Sequence, residues 1–241
     1  MTTEIDQRLI PTLQATRGRF PVLAVLVALA AALAAFSSGA NTPSTMTYLA
    51  PMSSVGPTTD SAAPGRPDPY QYLPSVPKFR LTSTTVTNGR PFPAAQLSKL
   101  FGVPNGGDVS PELSWSGFPK GTKSFVVSMY DPQAPTGSGF WHWVVANIPA
   151  GTTKLAANAG AVHTTLLPAG AFQLGGDAGA HQYVGAAPPK GSGVHYYYIT
   201  VTALDVPTTG LTDTASGAYL GFTIGAHTIA RATIICPTAA G

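Results

Sequence analysis

The sequence predicts a mainly β, loop-rich domain carried behind a leader and a spacer. Three observations point that way. The 241 residues include 26 Gly and 23 Pro but only 10% charged side chains, a balance that interrupts long helices and supplies turns. Apolar runs of strand length recur between Gly/Pro stretches. Two of those runs, around Phe125-Val126-Val127 and Trp143-Val144-Val145, are apolar at successive positions, as strands covered on both faces are.

Residues 1–40 read as an export segment. Arg8, Arg17 and Arg19 precede the unbroken apolar run 22–36, and Ser38-Gly39-Ala40 offers small residues for cleavage. As a helix that run reaches about 22 Å, short of the roughly 30 Å hydrocarbon core. A cleaved signal peptide and an uncleaved anchor over residues 20–36 both fit. No cysteine follows the run directly, which excludes a lipoprotein. Either way the domain is expected outside the cytoplasm, secreted or tethered to the membrane.

Residues 41–77 are rich in Ser, Thr and Pro and are expected to be an extended spacer. Tyr70, Tyr72 and Leu73 are its only candidates for docking on the domain. Residues 78–241 form that domain, with strands expected at 78–87, 113–115, 123–131, 141–148, 195–204 and 228–235. Two short helices are expected at 94–101 and 214–224. A chain of this length buries roughly 70% of its unfolded surface, enough to fold without disulfides or metal. The single cysteine, Cys236, excludes an internal disulfide. A net charge of +3 without a basic cluster excludes a nucleic-acid partner.

Asp131 closes one apolar run, and His142 opens the next across a Pro/Gly loop. If the runs pair as a hairpin, the carboxylate and the imidazole meet at one end of the sheet. A second Gly/Pro loop, from Gly185 through Pro188 and Pro189, delivers His195 to another run. Period-two alternation there puts His195 and Tyr197 on one face. Asp131 before proline also suits a plain turn initiator, and His142 suits a buried histidine satisfied by a carbonyl. Three separated motifs together favour a site.

These segments resemble the phosphatidylethanolamine-binding protein family, in its bacterial Raf-kinase-inhibitor-like branch. The resemblance rests on Asp131-Pro132-Gln133-Ala134-Pro135, on Trp141-His142, and on Gly185 through Pro188-Pro189 to His195 and Tyr197. Ser110-Pro111-Glu112-Leu113-Ser114-Trp115 and Asn147-Ile148-Pro149 also fit, so it covers residues 81–235. It implies a Greek-key β-sandwich with a few short peripheral helices and a cis bond at Ala134–Pro135. It further implies a non-catalytic pocket for a phosphate-containing small molecule or phospholipid head group, with no cofactor. Three departures stand out. Gln133 replaces a second acid, Ala186 replaces a proline and is expected to loosen its loop, and the C-terminus lacks an aromatic tail.

The expected pocket brings together Asp131, His142, His195 and Tyr197, with Pro188 and Pro189 as walls, Trp141 alongside, and Gly185 and Gly191 as N–H donors. An aspartate beside two imidazoles raises their proton affinity, so at least one imidazolium is expected near neutral pH. Imidazolium, phenol and loop N–H donors suit phosphate. Two other classes fit the same residues. Asp131, His142 and His195 could serve a metal- or acid/base-dependent phosphoester hydrolase. The family name also allows an inhibitor of an extracytoplasmic serine protease, docking through loop 136–140 beside the pocket.

Overall fold

The computed structural model describes residues 65–240. The expected export segment and the first part of the spacer lie outside the described residues. In chain order the strands are β1 (Arg80–Thr82), β2 (Leu113–Ser116), β3 (Ser124–Asp131), β4 (Phe140–Pro149), β5 (Lys154–Leu155), β6 (Phe172–Gln173), β7 (Val194–Leu204) and β8 (Thr228–Ala239). They build two antiparallel sheets, β1-β2-β5 and β6-β4-β3-β7-β8. The β3–β4 hairpin is joined by β7, which returns over a long connection to lie on the far side of β3. The mainly β sandwich is as the sequence implies.

The sheets meet face to face over one core. Leu113, Trp115 and Leu155 of the small sheet pack with Phe125, Val127, Trp143, Val145, Ile199 and Val201 of the large one. The outer face of the large sheet carries a second cluster, in which Val126, Val144 and Ala146 pack with Leu220 and Ile224 of helix α1 (Gly217–Ile224). This double cover explains why β3 and β4 read as unbroken apolar runs. Each such side chain, fully buried, contributes about 1.5–3 kcal/mol. Edge strand β8 alternates buried and half-buried residues instead, and tolerates Pro237 because an edge position need not donate to a ladder.

Several expected elements come out differently. The strand expected at 78–87 shortens to β1, because residues 83–86 curl around the Ser83 hydroxyl, which accepts from the N–H groups of Thr85 and Val86. The helix expected at 94–101 is a single 3-10 turn, Ala94–Gln96. The backbone beyond it serves the Ala186 loop: Ser98 N–H donates to the Ala186 carbonyl at 3.0 Å. Helix α1 begins later than expected, where the Ser216 hydroxyl caps it by accepting from Tyr219 N–H at 3.1 Å. No described peptide bond is cis, so the cis bond implied at Ala134–Pro135 is absent. The chain turns there through Thr136 N–H donating to the Ala134 carbonyl at 2.8 Å.

The last part of the expected spacer, residues 65–77, lies against the domain. The Tyr70 hydroxyl is 2.6 Å from the Thr200 hydroxyl, and its ring meets Tyr198 edge-on. Arg231 N–H donates to the Pro77 carbonyl at 3.0 Å. Among the described residues no helix is long and apolar enough to cross a membrane.

Candidate functional site

The end of β3 and the starts of β4 and β7 come together at one end of the large sheet. Alternation along β3 turns Asp131 inward with Val127 and Met129; alternation along β7 turns His195 and Tyr197 inward with Ile199. His142 arrives by another route. Met129 pairs with Trp143 while Tyr130 pairs with Trp141, so His142 is the extra residue of a β-bulge. The bulge sends Trp141 to the outer face, against the Tyr130 ring at 4.5 Å, and turns His142 inward, 5.2 Å from the Tyr197 ring. Trp141 therefore does not belong to the pocket, contrary to its placement from sequence.

Asp131 and His195 are both 2% exposed, and His195 Nδ1–H donates to Asp131 Oδ2 at 2.7 Å. On the other side of the ring, Nε2 is 2.8 Å from the Ser192 hydroxyl, which lies 2.7 Å from the Pro189 carbonyl. A carbonyl can only accept, so the hydroxyl donates to Pro189 and its oxygen accepts from Nε2–H. Assigned from this pattern, His195 carries both protons and neutralises Asp131. The second acceptor atom of Asp131, Oδ1, takes Gln133 N–H at 2.8 Å.

His142 differs. Its Nδ1–H donates to the Val184 carbonyl at 3.0 Å, and burial holds its pKa below the ordinary histidine value although Val184 and Asp131 pull the other way. His142 is therefore the neutral imidazole of the pair. Burial, with the Asp131 charge adding to it, pushes the Tyr197 phenol well above its usual range, so that hydroxyl keeps its proton as a donor.

Asp131, His142 and Tyr197 wall a cavity of about 120 Å³ with Pro189 and Ala187, and Phe101 and Phe140 close another side. The two phenyl rings meet edge-on, 6.0 Å between centroids. His195, placed in the pocket from sequence, holds Asp131 but does not itself line the cavity. Pro188 is half-buried behind Pro189 and does not line the cavity. Gly185 is not a free donor: its N–H donates to Asp108 Oδ1 at 2.7 Å. It is glycine because a Cβ would come 2.3 Å from the Leu97 carbonyl carbon. The Ala186 loop is not loosened. Ala186 N–H donates to the Gln96 carbonyl at 3.2 Å, a bond that proline cannot make.

Gln133 holds the β3–β4 loop to β7 with both ends of its amide. Its Oε1 accepts from Tyr196 N–H at 2.8 Å, and its Nε2 donates to the Val194 carbonyl at 3.2 Å. Sequence reasoning passed over Ser192, Phe140 and Phe101. The first two carried a signal, three residues before His195 and two before His142; nothing in the sequence marked Phe101. Among the described residues no group of His, Cys, Asp and Glu is placed to hold a metal ion, Asp131, His142 and His195 included.

Fold and site together define a β-sandwich binding protein with one small acid–imidazole–phenol pocket at the end of its main sheet. The chain belongs to the phosphatidylethanolamine-binding protein family, whose model matches residues 82–238. It is similar to YbcL of Escherichia coli, 45% identical over 65% of this chain and 85% of that protein. YbhB of the same organism is 44% identical over 65% of this chain and 97% of YbhB. A Mycobacterium tuberculosis protein named as a lipoprotein, LppC, is 32% identical over 59% of this chain and 71% of LppC. The crystal structure of YbcL, described as a member of the mammalian family, superposes with a TM-score of 0.64, covering 67% of this chain and 98% of YbcL.

Proposed function

We propose that the protein is an exported binding protein that holds a phosphate-bearing head group in the Asp131–His142–His195–Tyr197 pocket without turning it over. The supporting observation is the buried Asp131–His195 pair beside a neutral His142 and a protonated Tyr197. The phenol donates to a phosphate oxygen. Neutral His142, whose Nδ1–H is held by the Val184 carbonyl, offers Nε2 as an acceptor to a protonated phosphate oxygen or an ammonium. Asp131 disfavours a bare dianion and attracts a cation next to the phosphate. A zwitterion such as phosphoethanolamine meets both demands. At about 120 Å³ the cavity is well under the roughly 300–1,000 Å³ of drug-sized sites, so it suits a head group rather than a whole lipid. Export is supported by the Arg-flanked apolar run at residues 22–36 and by the likeness to LppC.

Calorimetric titration of the full-length protein with inorganic phosphate and with phosphoethanolamine tests this reading. Phosphoethanolamine is expected to bind more tightly. His142→Ala and His195→Ala are each expected to abolish binding while thermal unfolding stays cooperative. Binding that survives both substitutions places the ligand elsewhere.

A further inference from the structure

A second and larger cavity, about 250 Å³, lies on the opposite face of the large sheet, under α1 and the segment 69–73. Its walls are largely apolar, with Val126, Trp141 and Leu220 among them, and Phe222 and Leu73 stand at its edge, 85% and 43% exposed. Its floor is not apolar. Ser128 and Thr202 line it at 8% and 6% exposure, and neither hydroxyl has a hydrogen-bond partner among the described residues. Thr202 pairs directly across the ladder with Arg231, whose guanidinium also lines the cavity. That guanidinium lies 5.3 Å from the centre of the Tyr70 ring and donates to the Pro74 carbonyl at 3.3 Å. Asp68 is near enough to act on it electrostatically, but no carboxylate forms a direct ion pair with it among the described residues.

The helix above this space departs from ordinary packing. Gly217, Gly221 and Gly225 recur every fourth residue, so they share a face, and all three line the cavity. Gly217 has a packing reason, because a Cβ would meet the Trp141 ring at 2.6 Å. Gly221, in the helix interior, has none: a Cβ there would stand in open space, and it does not adopt a positive φ, whereas Gly225 sits at the C-cap. Glycine in a helix costs about 1 kcal/mol relative to alanine. No close approach at Gly221 offsets that cost. Space kept clear above two unpaired hydroxyls and a cation offers the missing reason.

We propose that this cavity is a second ligand site, which takes a carboxylate carried on a single apolar chain. The carboxylate meets Arg231 and the Thr202 and Ser128 hydroxyls, and the chain lies along the glycine face of α1 against Val126, Trp141 and Leu220. The site is independent of the Asp131 pocket, on the other side of the sheet.

Calorimetry of the full-length protein with decanoate and decanol as probes tests the proposal. Decanoate binds, and Arg231→Gln weakens it about tenfold or more while leaving decanol binding unchanged. Gly221→Leu fills the cavity, removes binding of both probes and raises the thermal midpoint of the unliganded protein. Titration with phosphoethanolamine is unaffected by Gly221→Leu, which separates this site from the Asp131 pocket. Wild-type decanoate affinity in Gly221→Leu, equal weakening of both probes by Arg231→Gln, or no decanoate binding to the wild type overturns the proposal.

Discussion

His195 Nδ1 lies 2.7 Å from Asp131 Oδ2, with both side chains almost wholly removed from solvent. Two charges taken out of water are tolerable only as a pair, because each alone keeps its desolvation cost without the compensating attraction. Asp131 in turn lines the cavity, so the pair fixes where that carboxylate stands. Asp131→Asn is therefore expected to destabilise the protein by about 3–5 kcal/mol. The double substitution Asp131→Asn/His195→Gln is expected to cost less than the two single losses added together. Urea unfolding of the four proteins measures this, and strict additivity would mean that the two groups do not interact.

Gln133 is neutral where the family pattern carries an acid, and both ends of its amide are in use. A glutamate retains the acceptor for Tyr196 N–H but cannot donate to the Val194 carbonyl, and it adds a negative charge next to Asp131. Gln133→Glu is expected to lose about 1 kcal/mol of stability and to weaken phosphate binding. Unchanged stability in chemical denaturation would show that the Nε2 bond does not hold the loop.

Much of the site was legible because strand alternation is a rigid rule. Asp131, His195 and Tyr197 share the inner face by counting in twos from Val127 and Ile199. The same count misplaces Trp141 and His142. One extra residue between Met129–Trp143 and Tyr130–Trp141 reverses their faces, and a bulge leaves no mark in the sequence of its own strand. Gly185 was misread for a related reason. A glycine in a loop looks like a free N–H donor, whereas its partner, Asp108, is remote in sequence and its role is close approach to Leu97. The two-residue strands β5 and β6 were invisible because so short a segment has no period. The docking of Tyr70 was hidden by the composition around it, since proline-rich segments extend whether or not they find a surface.

Cys236 is fully buried on β8, and burial raises its thiol to about 12. The thiolate is the reactive form, so the folded protein holds essentially none at neutral pH. Alkylation by iodoacetamide at pH 8 is expected to be slow in the native protein and fast in urea, followed by mass spectrometry. Equal rates in the two conditions would place the thiol in contact with solvent.

His142 gives the protein a pH dependence of defined sign. Its folded-state pKa is lowered, by burial first, while the unfolded chain restores the ordinary value near about 6.5. Above that value the imidazole is neutral in both states and contributes no slope. As pH falls below it, the unfolded chain takes up a proton that the folded protein refuses, and stability declines until the lower folded pKa is reached. The slope attributable to this one group is at most about 1.4 kcal/mol per pH unit. His142→Gln keeps a side-chain N–H for the Val184 carbonyl and cannot titrate, so it is expected to flatten the stability profile across that window. Urea midpoints measured from pH 7.5 down to pH 5 for both proteins provide the comparison, and parallel profiles would mean that His142 is already accessible to protons in the folded state.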